Sequence, residues 1–225
     1  MKKLILLILL IFFFSPQILL SQGNSNSKDA KADNVYIPKN LEDCFVQIDK
    51  LLDDNVKADI KLKNEQDFAI QEHFGFGRWI RNNWLRDKKG SRLAEYFQDM
   101  GIFHPDDMSG IILVSYHRYL NNKDINLQEQ IAYYRLYAKV HKEPLKEDYP
   151  EGEKELQFNT KLTYSLKDGK TPACIHVQTN SKTENTWIYD YHFGWKLLSK
   201  DEKARLVSAP QEREDILREL YKNER

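Results

Sequence analysis

The sequence predicts an α+β fold: an N-terminal helical unit, then a three-stranded antiparallel meander with C-terminal helices. Three observations predict it. Apolar residues between about 40 and 140 recur every three or four positions, the spacing of a helix with one buried face. After Pro150 the pattern changes to strict alternation, the signature of a half-buried strand. Near the C-terminus helix-start signals and helical spacing return.

The elements follow in order. Residues 22–35 are polar and carry almost no large apolar groups, so they read as a flexible leader. Asn40 with Asp43 marks a helix start, because an amide oxygen caps free N–H groups and an acid suits the positive end of the helix dipole. Leu41, Cys44, Phe45, Ile48, Leu51 and Leu52 form its stripe. A second short helix is expected after Asn64, carrying Phe68 and Ile70. The segment His73-Phe-Gly-Phe-Gly-Arg-Trp-Ile-Arg-Asn-Asn-Trp84 has two glycines two apart, which permit a tight turn of close approach. A helix from Arg78 would place Ile80 and Trp84 on one face and Arg78, Arg81, Asn82 and Arg86 on another.

Ser91 caps the next expected helix, with Leu93, Tyr96, Phe97 and Met100 as its stripe and Gly101 as its stop. His104-Pro-Asp-Asp107 opens another, with Pro in the first turn and acids at the dipole's positive end. Its remaining sides are apolar too, which predicts a central, buried helix. Asn126 with Glu129 resembles a capping box for a helix carrying Leu127, Ile131, Tyr134 and Ala138. Lys142 to Gly152, with two prolines and several charges, reads as a boundary between a helical domain at 36–142 and a sheet-plus-helix domain at 153–224.

In the second domain Leu156 to Leu166 alternates, and Asp168-Gly169 is a hairpin turn signal. Ile175 and Val177 alternate against Cys174, His176 and Gln178, and Trp187, Tyr189 and Tyr191 alternate in a third strand. The aromatic face of that strand is expected under a covering helix, Ile216 to Tyr221. Ser199 with Glu202 reads as a capping box for a short helix.

The N-terminus carries a different message. Lys2 and Lys3 precede an 11-residue apolar run, Leu4 to Phe14, and a small residue, Ser21, leads into polar chain. That order is a secretory signal peptide over residues 1–21, with the mature protein expected in the periplasm or outside the cell. The run is well short of the roughly 20 residues that span a bilayer, so no stable membrane span is expected after cleavage. The whole chain has 34 basic and 34 acidic side chains, and losing Lys2 and Lys3 leaves the mature protein near −2. Such a chain has no global field to gather nucleic acid, and no nucleic-acid partner is expected. Cys44 and Cys174 could pair after export, closing a long loop worth about 4–5 kcal/mol in the chain-entropy model. Nothing in the pattern asks for that pairing, and two free thiols fit it as well.

The strings Ile37 to Phe45, His73 to Trp84, Ser91-Arg92-Leu93 and Gly101 to Ser109 together resemble a bacterial domain family of unknown function, over roughly residues 36–122. The resemblance implies no activity and leaves the sheet outside it. It directs attention to those positions without giving them roles.

The candidate binding residues are His73, Gly75, Gly77, Arg78, Arg81, Asn82, His104 and Asp106. Two guanidinium groups could clamp an anion, and a histidine could supply a proton or a hydrogen bond. The bland alternative has the glycines admitting Trp79 and Trp84, and the arginines pairing with helix acids. For His104 and Asp106 it is an ordinary helix start. No residue is assigned a catalytic role: no serine stands in a nucleophile elbow, and Cys44 on an apolar stripe would resist ionisation. No His or Cys pair has metal spacing and no cofactor is implied. The leading expectation is an exported binding or interaction protein of the envelope, offering an Arg/Asn/His surface to a polar or anionic ligand or protein. The rival is an exported hydrolase of phosphoryl or envelope substrates, with His73 or His104 as acid or base. It requires His73, Arg81, Asn82 and either His104 or Asp106 to converge in one cleft.

Overall fold

The computed structural model describes residues 35–86 and 90–222. The expected signal peptide and all of the expected leader but Val35 lie outside the described residues. From Val35 onward the chain forms one compact unit.

The helices are α1 (Leu41–Leu51), α2 (Asp54–Leu62), α3 (Glu65–Glu72), α4 (Phe76–Ile80), α5 (Arg92–Asp99), α6 (Pro105–Leu120) and α7 (Leu127–His141). The strands are β1 (Leu156–Ser165), β2 (Pro172–Asn180), β3 (Thr186–Asp190) and β4 (Gly194–Leu198), followed by α8 (Lys200–Ser208) and α9 (Arg213–Leu220). The expected helix starts are made in detail. Asn40 Oδ1 accepts from the Asp43 N–H at 3.0 Å, and Ser91 Oγ accepts from the Ala94 N–H at 3.2 Å. Ser199 and Glu202 form a complete capping box. Asn126 does not: it adopts left-handed backbone (φ 49°), and its side chain caps nothing. Helix α2 starts from Asp53, whose Oδ1 accepts from the Val56 N–H at 2.9 Å. Its sequence shows little stripe, since only Ile60 is buried.

α6 is the central helix. Met108, Ser109, Ile111, Ile112, Leu113, Ser115, Tyr116 and His117 are all buried along it, and α1 to α5 and α7 pack around it. Ser115, a polar group with no access to water, is satisfied by Gln130 Nε2 from α7 at 3.0 Å. Arg118 ties the far end together. It holds Glu65 of α3 through Nε at 2.9 Å and Nη2 at 2.8 Å, and its Nη1 donates to the Ile125 carbonyl in the α6–α7 loop at 2.8 Å. This two-toothed arginine–carboxylate geometry is the strong form of the interaction.

The sheet has four strands in the order β1-β2-β3-β4, all antiparallel, not three. The unforeseen strand, β4, is short and begins at the turn glycine Gly194 (φ 85°). Tyr191 belongs to that turn, because β3 ends at Asp190. Each face of the sheet is covered. Ala173, Ile175, Val177 and Ile188 pack beneath Leu206, Ile216, Leu217 and Leu220 of α8 and α9. The opposite face of β2 meets α7, where His176 Nε2 donates to the Val140 carbonyl at 2.9 Å. The expected cover of the aromatic face is therefore corrected. By the pairing register Trp187 and Tyr189 lie opposite Gln178 and His176, on the α7 side, while α9 covers the aliphatic face. Tyr149 and Tyr189 both meet Trp195, at 5.5 and 5.2 Å between ring centres.

Both cysteines are free and buried. Burial holds the Cys44 thiol well above its ordinary range and pushes Cys174 up to about 11, so neither is a ready nucleophile.

Candidate functional site

An open cleft of about 790 Å³ lies among α3, the start of α6, and α7. From α3 and its end come Gln66, Ala69, Ile70, His73 and Phe74. From α6 come its cap His104, then Asp106, Asp107 and Gly110. From α7 come Tyr133, Tyr134, Tyr137, Ala138 and His141. The helical spacing of 133, 137 and 141 puts these three rings in one row. Tyr137 and His141 stack at 4.0 Å, and Tyr133 and Tyr137 stack at 6.3 Å.

Beneath the cleft lies Arg81, only 4% exposed. The chain turns from α4 into a single π-helical turn, Arg81–Leu85, which carries Arg81, Trp84 and Leu85 inward together. Gly77 permits this approach, since a Cβ there would stand 3.2 Å from both Arg81 Nη1 and Leu113 Cδ1 of α6. The Arg81 guanidinium donates through Nη1 to Ser109 Oγ at 2.9 Å and through Nη2 to the His73 carbonyl at 3.0 Å. Its Nε lies 2.7 Å from Asp106 Oδ1, an ion pair that sits off the hydrogen-bond axis. Arg86 approaches the same oxygen at 3.7 Å. Arg81 is thus a brace joining the end of α3 to the first turn of α6, not the solvent-facing clamp that a regular helix from Arg78 would make of it.

The candidates from the sequence therefore divide. His73, His104 and Asp106 meet in the cleft, and Arg81 lies under its floor. Gly77 is buried in the packing, while Gly75, Arg78 and Asn82 are exposed and outside the cleft lining. His104 acts as the cap of α6: its Nδ1 accepts from the Asp106 N–H at 3.2 Å, which leaves the proton of the neutral ring on Nε2. His141 is opposite in tautomer, because its Nδ1 lies 2.9 Å from the Tyr137 carbonyl, which only accepts.

The α7 wall is what sequence reading missed. Tyr134 packs its hydroxyl end onto Gly110, where any Cβ would collide with it. Burial raises the phenol pKa of all three tyrosines, so they remain neutral donors and acceptors at ordinary pH. Asp107 is the unusual carboxylate. Partial burial raises its pKa, with His104 pulling the other way and Asp106 adding to the rise. Among the described residues it has no hydrogen bond and no ion pair at contact distance. The described residues contain no group of three or more His, Cys, Asp or Glu side chains placed to hold a metal ion.

Two of the segments that carry the family resemblance, His73 to Trp84 and Gly101 to Ser109, supply His73, Phe74, His104, Asp106 and Asp107 to this cleft. Residues 37–120 are a DUF6794 domain. It is a domain of unknown function. No curated protein and no solved structure matches the chain. The DUF6794 domain supplies α3, α6 and the Arg81 brace, whereas α7 with its tyrosines lies beyond the matched residues. The cleft thus straddles the edge of the DUF6794 domain. No helix among the described residues is long and apolar enough to cross a membrane.

Proposed function

We propose that the protein is an exported binding protein of the bacterial cell envelope, and that the cleft among α3, α6 and α7 receives a polar ligand. The observation that carries this reading is the contrast between rim and floor. Ile70 and Phe74 on the rim are 64% and 70% exposed, and Tyr133 is 41% exposed, around a floor of His, Asp and Tyr groups. Large apolar side chains left in water around convergent polar groups are the usual form of a ligand site. The hydrolase reading has less support. It asks for Arg81 and Asn82 to face a substrate, yet Arg81 is engaged by Asp106, Ser109 and the His73 carbonyl, and Asn82 lies outside the cleft lining.

Export rests on Lys2, Lys3 and the apolar run that follows them. Fractionation with N-terminal sequencing of the mature chain tests it: a start at Gln22 outside the cytoplasm is expected, and an intact Met1 in the cytoplasm refutes it. Binding is tested by melting residues 22–225 with phosphate, nucleotides, glycan fragments and small amines. A ligand at a hundred times its dissociation constant adds about 2.7 kcal/mol, several degrees of melting temperature. Phe74→Ala, an exposed change, should abolish the shift without lowering the unliganded melting point. A shift unaffected by Phe74→Ala places the site elsewhere.

A further inference from the structure

The unmatched charge in the cleft says what kind of ligand it takes. Asp107 sits one residue from Asp106, but the two carboxylates differ in company. Asp106 has Arg81 at 2.7 Å and Arg86 at 3.7 Å, and it is neutralised from below. Asp107 faces into the cleft lining with no arginine or lysine at ion-pair distance among the described residues. The basic side chain that acts on it electrostatically is His104, whose Nδ1 is committed to capping α6.

Across from Asp107 stand the phenols of Tyr133, Tyr134 and Tyr137, each within electrostatic reach of its carboxylate. None of the three hydroxyls makes a hydrogen bond to another described residue. Beside the arginine-paired Asp106, the site therefore presents one carboxylate without an arginine or lysine partner and three phenol oxygens, all able to accept. We propose that this pocket binds the primary ammonium group of a small organic amine. A primary ammonium has three N–H donors and no acceptor, which complements a carboxylate and a ring of hydroxyl oxygens. The hydrogen bonds to the carboxylate are charge-assisted, the stronger kind. A quaternary ammonium carries the charge without the donors. It would depend on open ring faces, and those of Tyr137 are flanked by Tyr133 and His141. The alkyl part of the amine would lie against the apolar rim at Ile70 and Phe74.

This inference rests on the cleft being a ligand site and names the ligand's chemistry. The test follows the tyrosine ring resonances of the mature protein by NMR during titration with n-butylammonium, tetramethylammonium and 1-butanol at constant ionic strength. Saturable movement of the Tyr133, Tyr134 and Tyr137 signals by n-butylammonium is expected, with about tenfold tighter binding than 1-butanol. Asp107→Asn should remove that advantage, and Tyr134→Phe should weaken binding while the spectrum otherwise stays native. If n-butylammonium and 1-butanol bind alike, or Asp107→Asn leaves the amine's affinity unchanged, the ammonium site is overturned while the cleft remains a ligand site. Tighter binding of tetramethylammonium than of n-butylammonium also overturns the primary-amine assignment. If no probe, glycan fragment or anion moves these resonances saturably, the cleft is not a ligand site and both readings fall.

Discussion

Asp190 in the sheet and Asp107 in the cleft have pKa values raised by the same cause, burial, yet they stand in opposite chemical situations. Asp190 closes β3 with no exposure at all. It accepts from the Tyr164 hydroxyl at 2.9 Å and from the backbone N–H groups of His192 at 2.7 Å and Phe193 at 3.2 Å. Every part of that carboxylate is answered by the protein, and it pins the β3–β4 turn. Asp107 has lost part of its water and gained no donor among the described residues. A carboxylate displaced from its ordinary pKa is therefore not in itself a sign of function. What sets Asp107 apart is its place in the cleft lining without a donor among the described residues, the observation behind the proposed ammonium site.

The contrast can be broken by mutation, and the expected effects form a descending series. Asp190→Ala leaves the buried Tyr164 hydroxyl and the His192 N–H without their acceptor, while the Phe193 N–H keeps the residue-190 carbonyl at 3.3 Å, and should cost about 3 kcal/mol in a denaturant titration. A loss below 1 kcal/mol would mean the turn is held by something else. Arg81→Met removes the brace under the cleft, taking a donor from Ser109 and the His73 carbonyl and an ion-pair partner from Asp106. The expected loss is about 2 kcal/mol, less than for a fully sealed pair because Asp106 is 36% exposed. His104→Ala removes the α6 cap and should cost about 0.5–1 kcal/mol by the same measurement.

Asp107→Asn is the smallest and has the opposite sign. Its carboxyl pKa is raised in the folded state, so the wild type is favoured when this group is protonated, below the ordinary carboxyl pKa. That contribution is lost as pH rises through the folded value. At pH 7 the neutral amide should therefore stabilise slightly, on the order of 0.5 kcal/mol, and the gain should vanish below about pH 4. Melting curves of both proteins from pH 3 to 8 measure this difference. A loss of stability at pH 7 would show that Asp107 has a structural donor after all.

Much of the molecule was legible because its signals are local. Asn40, Ser91, His104-Pro105 and Ser199 each announce a helix within four residues, and each helix is there. The alternation in β1, β2 and β3 was equally plain. What escaped depends on partners distant in sequence. Arg81 and Asp106 are 25 positions apart, and only the π turn after Ile80 reveals that the arginine faces inward. β4 is five residues long and follows a turn that resembles the end of a hairpin. Three of the expected site residues do meet in the cleft, since they lie at the ends of two helices that pack on each other. The α7 wall is harder to read, because Tyr133, Tyr137 and His141 form a second row beside the apolar row of Ile131 and Tyr134 that packs on the core. Their spacing of four was the available signal.

Arg118 has a kinetic meaning as well as a structural one. By gripping Glu65 and the Ile125 carbonyl at once, it fastens α3 and the approach to α7 onto α6 at the end away from His104. On the proposed binding function, these contacts would hold the slot between the helices to one width before a guest arrives. A guest would then need only to collide in the right orientation, with no slow opening step to wait for. The observed rate of approach to equilibrium should rise in proportion to ligand concentration, without a plateau.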